Sequence, residues 1–386
     1  MERRDVLLRQ GDVGPRVRAV RELLAAAGMP VPGGSGGDPE LFDADLDRAV
    51  RAFQQERGLT SDGIVGEETS RALDAAHWRL GDRILRYTPG HLVHGDDVVA
   101  LQERLNSLGV FDDRVDGMFG PATERALREL QRGLGLTPDG TCGPDTLRAL
   151  ASLERTVRGG DVSLLRDAET VRRSGSSLVG RVIVIDPGHG GDDTGAQGHG
   201  LVEADVVLDL ALRLEGRLTA SGVTAVLTRG ATQNPTTADR VRLADDVRAD
   251  VLLSLHCDSG ADGGGQGVAT FYWGDPRFGT RSATGARLAD LVQREVLART
   301  DLVDCRSHPR TWDLLRLSRM PAVRVELGYL TDAGDARRLA DPAFRDTCAE
   351  ALLVAVQRLF LPEEEDATTG TLRVDDVMAR AREAGG

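Results

Sequence analysis

At 386 residues the chain exceeds one typical domain and points to two or three. Its 40% hydrophobic and 28% charged residues are the composition of a soluble globular protein, and no apolar run approaches the ~18 residues of a spanning helix, which argues against wholesale disorder and a membrane-spanning class. A formal net charge of -13 with no offsetting basic stripe argues against a nucleic-acid partner.

Met1 to Gly28 offers charge and an ordinary amphipathic helix, but not the apolar stretch and cleavage site of a secretion signal. The four cysteines (Cys142, Cys257, Cys305, Cys348) are too scattered for a disulfide framework, so reduced thiols and a cytoplasmic location are expected.

The N-terminal part contains an internal repeat. Gly58-Leu59-Thr60-Ser61-Asp62-Gly63 is echoed by Gly135-Leu136-Thr137-Pro138-Asp139-Gly140 at an offset of 77 residues, and Phe53-Gln54 by Leu130-Gln131. Upstream, Gly11-Asp12-Val13 pairs with Gly95-Asp96-Asp97 at an offset of 84, which assigns seven extra residues to the first copy, in the Gly-rich stretch Pro30 to Pro39. Each copy predicts a helix (Val17, Val20, Leu23, Leu24; then Val98, Leu101, Leu105, Leu108), a loop, a second helix, an Asp-Gly turn and a third helix. Two small all-α units are therefore expected, at 8–78 and 92–153. They resemble the peptidoglycan-binding domain, which implies a wall-binding role, although turn and cap chemistry alone also accounts for the Asp-Gly and Gly-Pro punctuation.

Residues 154–179 are rich in Arg, Gly and Ser and read as a linker. From 180 to 361 the pattern changes to apolar β-branched runs (Val182–Ile185, Val223–Leu227, Val251–Leu255, Val268–Tyr272, Val323–Leu327) alternating with helical stretches. This predicts an α/β domain, a mostly parallel sheet covered by helices on both faces, with its chemistry at the strand ends.

Those ends carry unusual residues. The first strand runs into Asp186-Pro187-Gly188-His189-Gly190-Gly191, Glu203 opens a helix whose apolar stripe is Val207, Leu210, Leu214 and Leu218, and His256 closes a strand. Two imidazoles, a carboxylate and an open fourth position are the ligand set of a catalytic zinc site, so His189, Glu203 and His256 are the expected ligands of one Zn²⁺. Glu326, on the last strand, is the expected general base and acid. Arg324 shares its face by period-two alternation and is a candidate modulator; the open alternative is that it bonds an acid elsewhere.

Asp186-Pro187-Gly188-His189-Gly190-Gly191, Glu203, Ser254-Leu255-His256 and the run Pro321 to Leu330 together resemble the zinc-dependent N-acetylmuramoyl-L-alanine amidases of the amidase 3 family. The resemblance covers nearly all of Arg181 to Phe360. It implies cleavage of the amide joining the muramic acid lactyl group to L-alanine, with His189, Glu203 and His256 as metal ligands and Glu326 as the catalytic glutamate. The chain departs from the family pattern at Cys257-Asp258-Ser259, where Ala-Asn-Ala is usual, at Asp245 in place of Asn, and at Arg324 in place of an aliphatic residue.

Two functions stand side by side. One is a zinc amidase acting on peptidoglycan or its muramyl-peptide precursors. The other follows from the order of parts and the missing export signal, which resemble non-secreted amidase-like regulators of actinobacteria. That likeness implies activation of the UDP-N-acetylglucosamine enolpyruvyl transferase MurA after phosphorylation by a Ser/Thr kinase. The polar, acidic tail, 362–386, carries the candidate phosphosites Thr368, Thr369 and Thr371.

Overall fold

The computed structural model describes residues 7–29, 31, 38–153, 177–259, 265–275 and 280–361. The chain divides into two compact units, one holding the helical repeats and the other the α/β domain.

In the helical unit, α1 (Pro15–Ala26), α2 (Ala44–Glu56) and α3 (Glu67–Ala76) form the first repeat, and α4 (Asp96–Ser107), α5 (Pro121–Gly133) and α6 (Pro144–Leu153) the second. Each repeat has its own apolar core, around Leu24, Phe42, Leu46 and Phe53 in one and Leu101, Leu105, Phe119 and Leu127 in the other. The second core also takes in Leu85, which bridges to Cys142 and lies upstream of the expected start at 92. Helices α1 and α4 both begin after an N-cap glycine, Gly14 and Gly95, and Val17, Val20 and Leu24 occupy the buried places of Val98, Leu101 and Leu105. The helices therefore match at an offset of 81 rather than 84, and against the downstream 77 the first copy carries four extra residues, not seven. Pairing by the Gly-Asp dipeptide had matched a turn to a helix start.

The Asp-Gly turns are held by a recurring buried corner. Gln102 donates from Nε2 to Asp116 Oδ1 (2.8 Å), Met118 O (3.0 Å) and Thr123 Oγ1 (3.1 Å), while its Oε1 accepts the Gly117 N–H (2.8 Å). Gln54 makes the same four bonds with Asp62, Ile64, Thr69 and Gly63, and Gln131 with Asp139, Thr141, Thr146 and Gly140. A buried amide is tolerable only when so fully matched. At the remaining corner, between α1 and α2, Arg21 stands in: it donates to Leu41 O (2.9 Å) and pairs with Asp43 (2.8 Å).

The sheet of the α/β unit has six main strands among the described residues, β1 (Val182–Pro187), β2 (Thr224–Leu227), β3 (Val251–Asp258), β4 (Val268–Asp275), β5 (Asp304–Arg310) and β6 (Ala322–Tyr329), and the two-residue strand Thr280–Arg281 adds to β4. Their order is β5-β4-β6-β3-β1-β2, with all neighbours parallel except the antiparallel pair β4 and β6, so the sheet is mostly parallel as expected. One face (Ile183, Ile185, Leu253, Leu255, Val323, Val325) packs under α7 (Glu203–Ala220), α9 (Ala283–Arg299) and α12 (Pro342–Phe360). Short helices α8 (Thr237–Asp246) and α10 (Asp313–Leu317) meet on the opposite face, where α10 touches β4 and β6, while α11 (Ala333–Ala340) follows β6. Strand β5 reads Asp-Cys-Arg-Ser-His-Pro-Arg and has no apolar run to announce it; as an edge strand it buries little.

All four cysteines are free thiols. Among the described residues no helix is long and apolar enough to cross a membrane.

Gln102→Leu removes the partners of Gly117 N–H and Met118 C=O from a buried site. It is expected to destabilise the helical unit by about 1–3 kcal/mol in urea unfolding. Gln55→Leu, at an exposed neighbour of Gln54, is expected to change stability by less than about 0.5 kcal/mol.

Candidate metal centre

The site is assembled where β1, β3 and β6 end. After β1 the chain turns sharply through Gly188 and His189, and His189 itself sits at a φ of 57°, unusual for a residue with a side chain. Two arginines hold that loop. Arg240, from α8, donates to Asp186 (2.6 Å) and to the carbonyls of Pro187 (2.9 Å) and His189 (2.8 Å). Arg229, just after β2, donates to the carbonyls of Pro187 (2.8 Å), Gly188 (2.7 Å) and Ala204 (2.9 Å), fastening the His189 loop to the first turn of α7. Asp186 is 1% exposed and also accepts from Thr228 and Ser254. Burial pushes its carboxyl upward, but the Arg240 charge and these donors outweigh it and hold it below the ordinary value.

Glu203 is the first residue of α7 and only 2% exposed. Its Oε2 accepts the Ala196 N–H (2.8 Å) and lies 3.2 Å from His189 Nε2; its Oε1 accepts the Cys257 N–H (3.0 Å) and lies 2.9 Å from His256 Nδ1. On the outer side of the His189 ring, Nδ1 meets Asp193 Oδ2 at 2.9 Å, which leaves Nε2 directed at the cluster. Burial raises the Glu203 carboxyl, yet its contacts with His189 and His256 prevail and hold it far below the ordinary range. For His189, burial lowers the imidazole but bonds with Glu203 and Asp193 raise it on balance; for His256, burial followed by the Arg324 charge gives a net lowering.

One donor atom from each of His189, Glu203 and His256 lies within 4.8 Å of the others. Tetrahedral zinc with bonds of about 2.0–2.1 Å separates its donors by roughly 3.3 Å, so the set fits such an ion with little movement. The cradle depends on absent side chains: a Cβ at Gly188 would fall 2.1 Å from the His256 ring, and one at Gly195 2.5 Å from Glu203 Oε2.

Glu326 stands beside His256 in register across β6 and β3 and is 4% exposed. Arg324 donates to its Oε1 (2.7 Å), so of the two alternatives for Arg324 the structure shows the pair with Glu326. Oε2 of Glu326 is buried with no hydrogen-bond partner among the described residues. The departure at Cys257 touches Glu203 through its backbone N–H, which the usual Ala would supply equally, and Asp245 lies on α8, 3.7 Å from Arg319. Thr368, Thr369 and Thr371 fall outside the described residues.

The structure thus brings together the four residues predicted from sequence and adds Arg229, Arg240 and Asp193, which were not. An arginine placed directly after an apolar strand, as Thr228-Arg229 follows β2, is the signal that could have exposed the first.

A family model described as N-acetylmuramoyl-L-alanine amidase matches residues 183–358, and one described as a peptidoglycan binding domain matches 13–73 and 94–150. The chain is 47% identical over 382 residues to the N-acetylmuramoyl-L-alanine amidase CwlM of Mycobacterium tuberculosis, covering 96% of this chain and 94% of that protein. It is 35% identical over 175 residues to the amidase LytC of Bacillus subtilis, covering 45% of this chain and 34% of LytC. Among solved structures, the amidase AmiC2 of Nostoc punctiforme is 34% identical over 46% of this chain and 94% of its own, with a TM-score of 0.42. On the strength of a relative nearly half identical over almost the full length of both chains, the chain belongs to the N-acetylmuramoyl-L-alanine amidase family, as a member with two peptidoglycan-binding repeats ahead of the amidase domain.

Proposed function

We propose that the chain is a zinc hydrolase of muramyl peptides, cutting the amide between the lactyl group of muramic acid and L-alanine, with its repeats at 8–78 and 92–153 holding peptidoglycan and 180–361 doing the chemistry. The observation that supports this best is the convergence of three donors on one point with Glu326 in register beside it. A bound zinc ion would supply Lewis-acid polarisation of the amide carbonyl and a lowered pKa for the attacking water. His189, Glu203 and His256 hold the ion, and Asp193 fixes the tautomer and tilt of His189. Glu326 has one oxygen anchored by Arg324 and the other, Oε2, unpartnered, so Oε2 is the atom to accept a proton from the water and return it to the leaving nitrogen.

The same Arg324 bond favours a second reading. A cation fastened to the general base suits a scaffold that has given up turnover. In that reading the chain acts in the cytoplasm as a regulator of precursor synthesis, through MurA and a kinase that phosphorylates Thr368, Thr369 or Thr371.

His189→Ala and His256→Ala are each expected to cut zinc content by at least about tenfold, read by metal analysis of the purified protein. Wild-type-like zinc in both would remove the assignment. Glu326→Gln keeps the shape but cannot accept a proton; it is expected to retain zinc and to lose about 10²-fold or more of turnover on muropeptides. Arg324→Leu separates the two readings. Equal or raised turnover over an active parent fits an amidase, and turnover appearing only in the variant fits the scaffold.

A further inference from the structure

The face of the sheet that carries Glu326 continues away from the metal centre toward the β5 edge. Period-two alternation puts Arg324 on that face; Phe271 of β4 lies opposite Arg324, His308 of β5 lies opposite Phe271, and Arg310 lies two residues further along β5. The aromatic rings there are in contact, with the Phe271 and Trp312 centroids 4.7 Å apart. Two guanidiniums lie over this pair. That of Arg324 is 4.7 Å from the Trp312 centroid, and that of Arg310 is 5.2 Å from Phe271 and 5.9 Å from Trp312.

The two arginines differ in how their charge is met. Arg324 is bonded to Glu326. Arg310 donates to the carbonyl of its own neighbour, Pro309 (3.0 Å), and among the described residues has no carboxylate at ion-pair distance. Its Nε and the Nε1 of Trp312 are both buried donors without an acceptor among the described residues. Burial pulls the Arg310 guanidinium below its ordinary pKa, as expected of a half-buried cation with no counter-charge among the described residues. Stacking on aromatic rings presets a guanidinium for planar, two-point bonding to a carboxylate.

We propose that Arg310, backed by Phe271 and Trp312, is a specificity site for a carboxylate on the peptide side of the substrate. This rests on the muramyl-peptide reading. Arg310, opposite Trp273, is set back along the strands from Glu326, but its guanidinium lies 5.9 Å from the same Trp312 centroid that the Glu326-bonded guanidinium of Arg324 approaches to 4.7 Å, so the two are no more than about 11 Å apart. That is the reach of about three extended residues, so the carboxylate read is on the second or third residue of the stem peptide.

The test uses full-length, zinc-loaded Glu326→Gln protein, so that ligands persist, and two probes: a muramoyl tripeptide with free carboxylates at its second and third residues, and its fully amidated analogue. Calorimetry is expected to give at least tenfold tighter binding of the acidic form. Adding Arg310→Gln is expected to erase that preference while leaving zinc content and affinity for the amidated form unchanged, and Arg310→Lys to restore part of it. Equal binding of the two probes, a preference that survives Arg310→Gln, or no binding of either overturns the proposal. Turnover of both probes by protein with Glu326 intact judges the amidase reading separately. Cleavage without acid preference keeps the enzyme and discards the site, and an Arg310-dependent preference without cleavage does the reverse.

Discussion

A carboxylate almost wholly removed from water has to be answered on every side, and Glu203 is the group on which the catalytic half of this chain is organised. It draws backbone N–H groups from the loop before it and from the end of β3, and imidazoles from the loop after β1 and, again, from the end of β3. Leaving such a charge uncompensated would cost several kcal/mol, so the loop, the strand end and the start of α7 are obliged to meet at one point. The same demand sets the backbone around it. Gly188 and Gly195 have no side chain because His256 and Glu203 occupy that volume, and His189 accepts a strained φ to bring its ring inward.

Arg229 and Arg240 supply the stiffness that this arrangement requires. Between them they bond five times to backbone carbonyls of the His189 loop and the first turn of α7. A loop held at its carbonyls, rather than by its side chains, keeps the His189 ring free to face the cluster while its backbone stays fixed. Asp186 balances the charge of Arg240 within the fold, so the staple adds one net cation near the imidazoles rather than two.

The cluster of His189, Glu203 and His256 was legible in the sequence because each of them sits at a punctuation point: a Gly-rich turn, a helix start, a strand end. The core strands were legible as apolar runs. Strand β5 was not, since an edge strand needs no such run, and it carries Arg310. The arginine staples were not legible either, because their partners are main-chain carbonyls that no residue type advertises. For Arg324, alternation gave the face but not the partner, which depends on rotamers. The first-repeat register was misread by three residues, because a Gly-Asp pair serves equally in a turn and before a helix.

The Gln corners of the helical unit bear on how its loops can vary. In the corners of Gln54 and Gln131, the turn Asp lies 8 residues on and the Thr 15, in both cases. In the corner of Gln102 the intervals are 14 and 21, so the stretch before the Asp-Gly turn absorbs extra length while the step from Asp to Thr stays at seven. A short, rigid amide thus acts as a gauge that measures one arm of the loop and ignores the other. Where the longer, more pliant Arg21 takes over, the gauge is relaxed, and that corner spans the repeat's Gly-rich insertion. Loop length in this module is therefore licensed corner by corner: the α4–α5 connection can lengthen only before its Asp-Gly turn, whereas the α1–α2 connection, with no glutamine gauge, is where a grafted peptide has most room to grow without disturbing the packed helices.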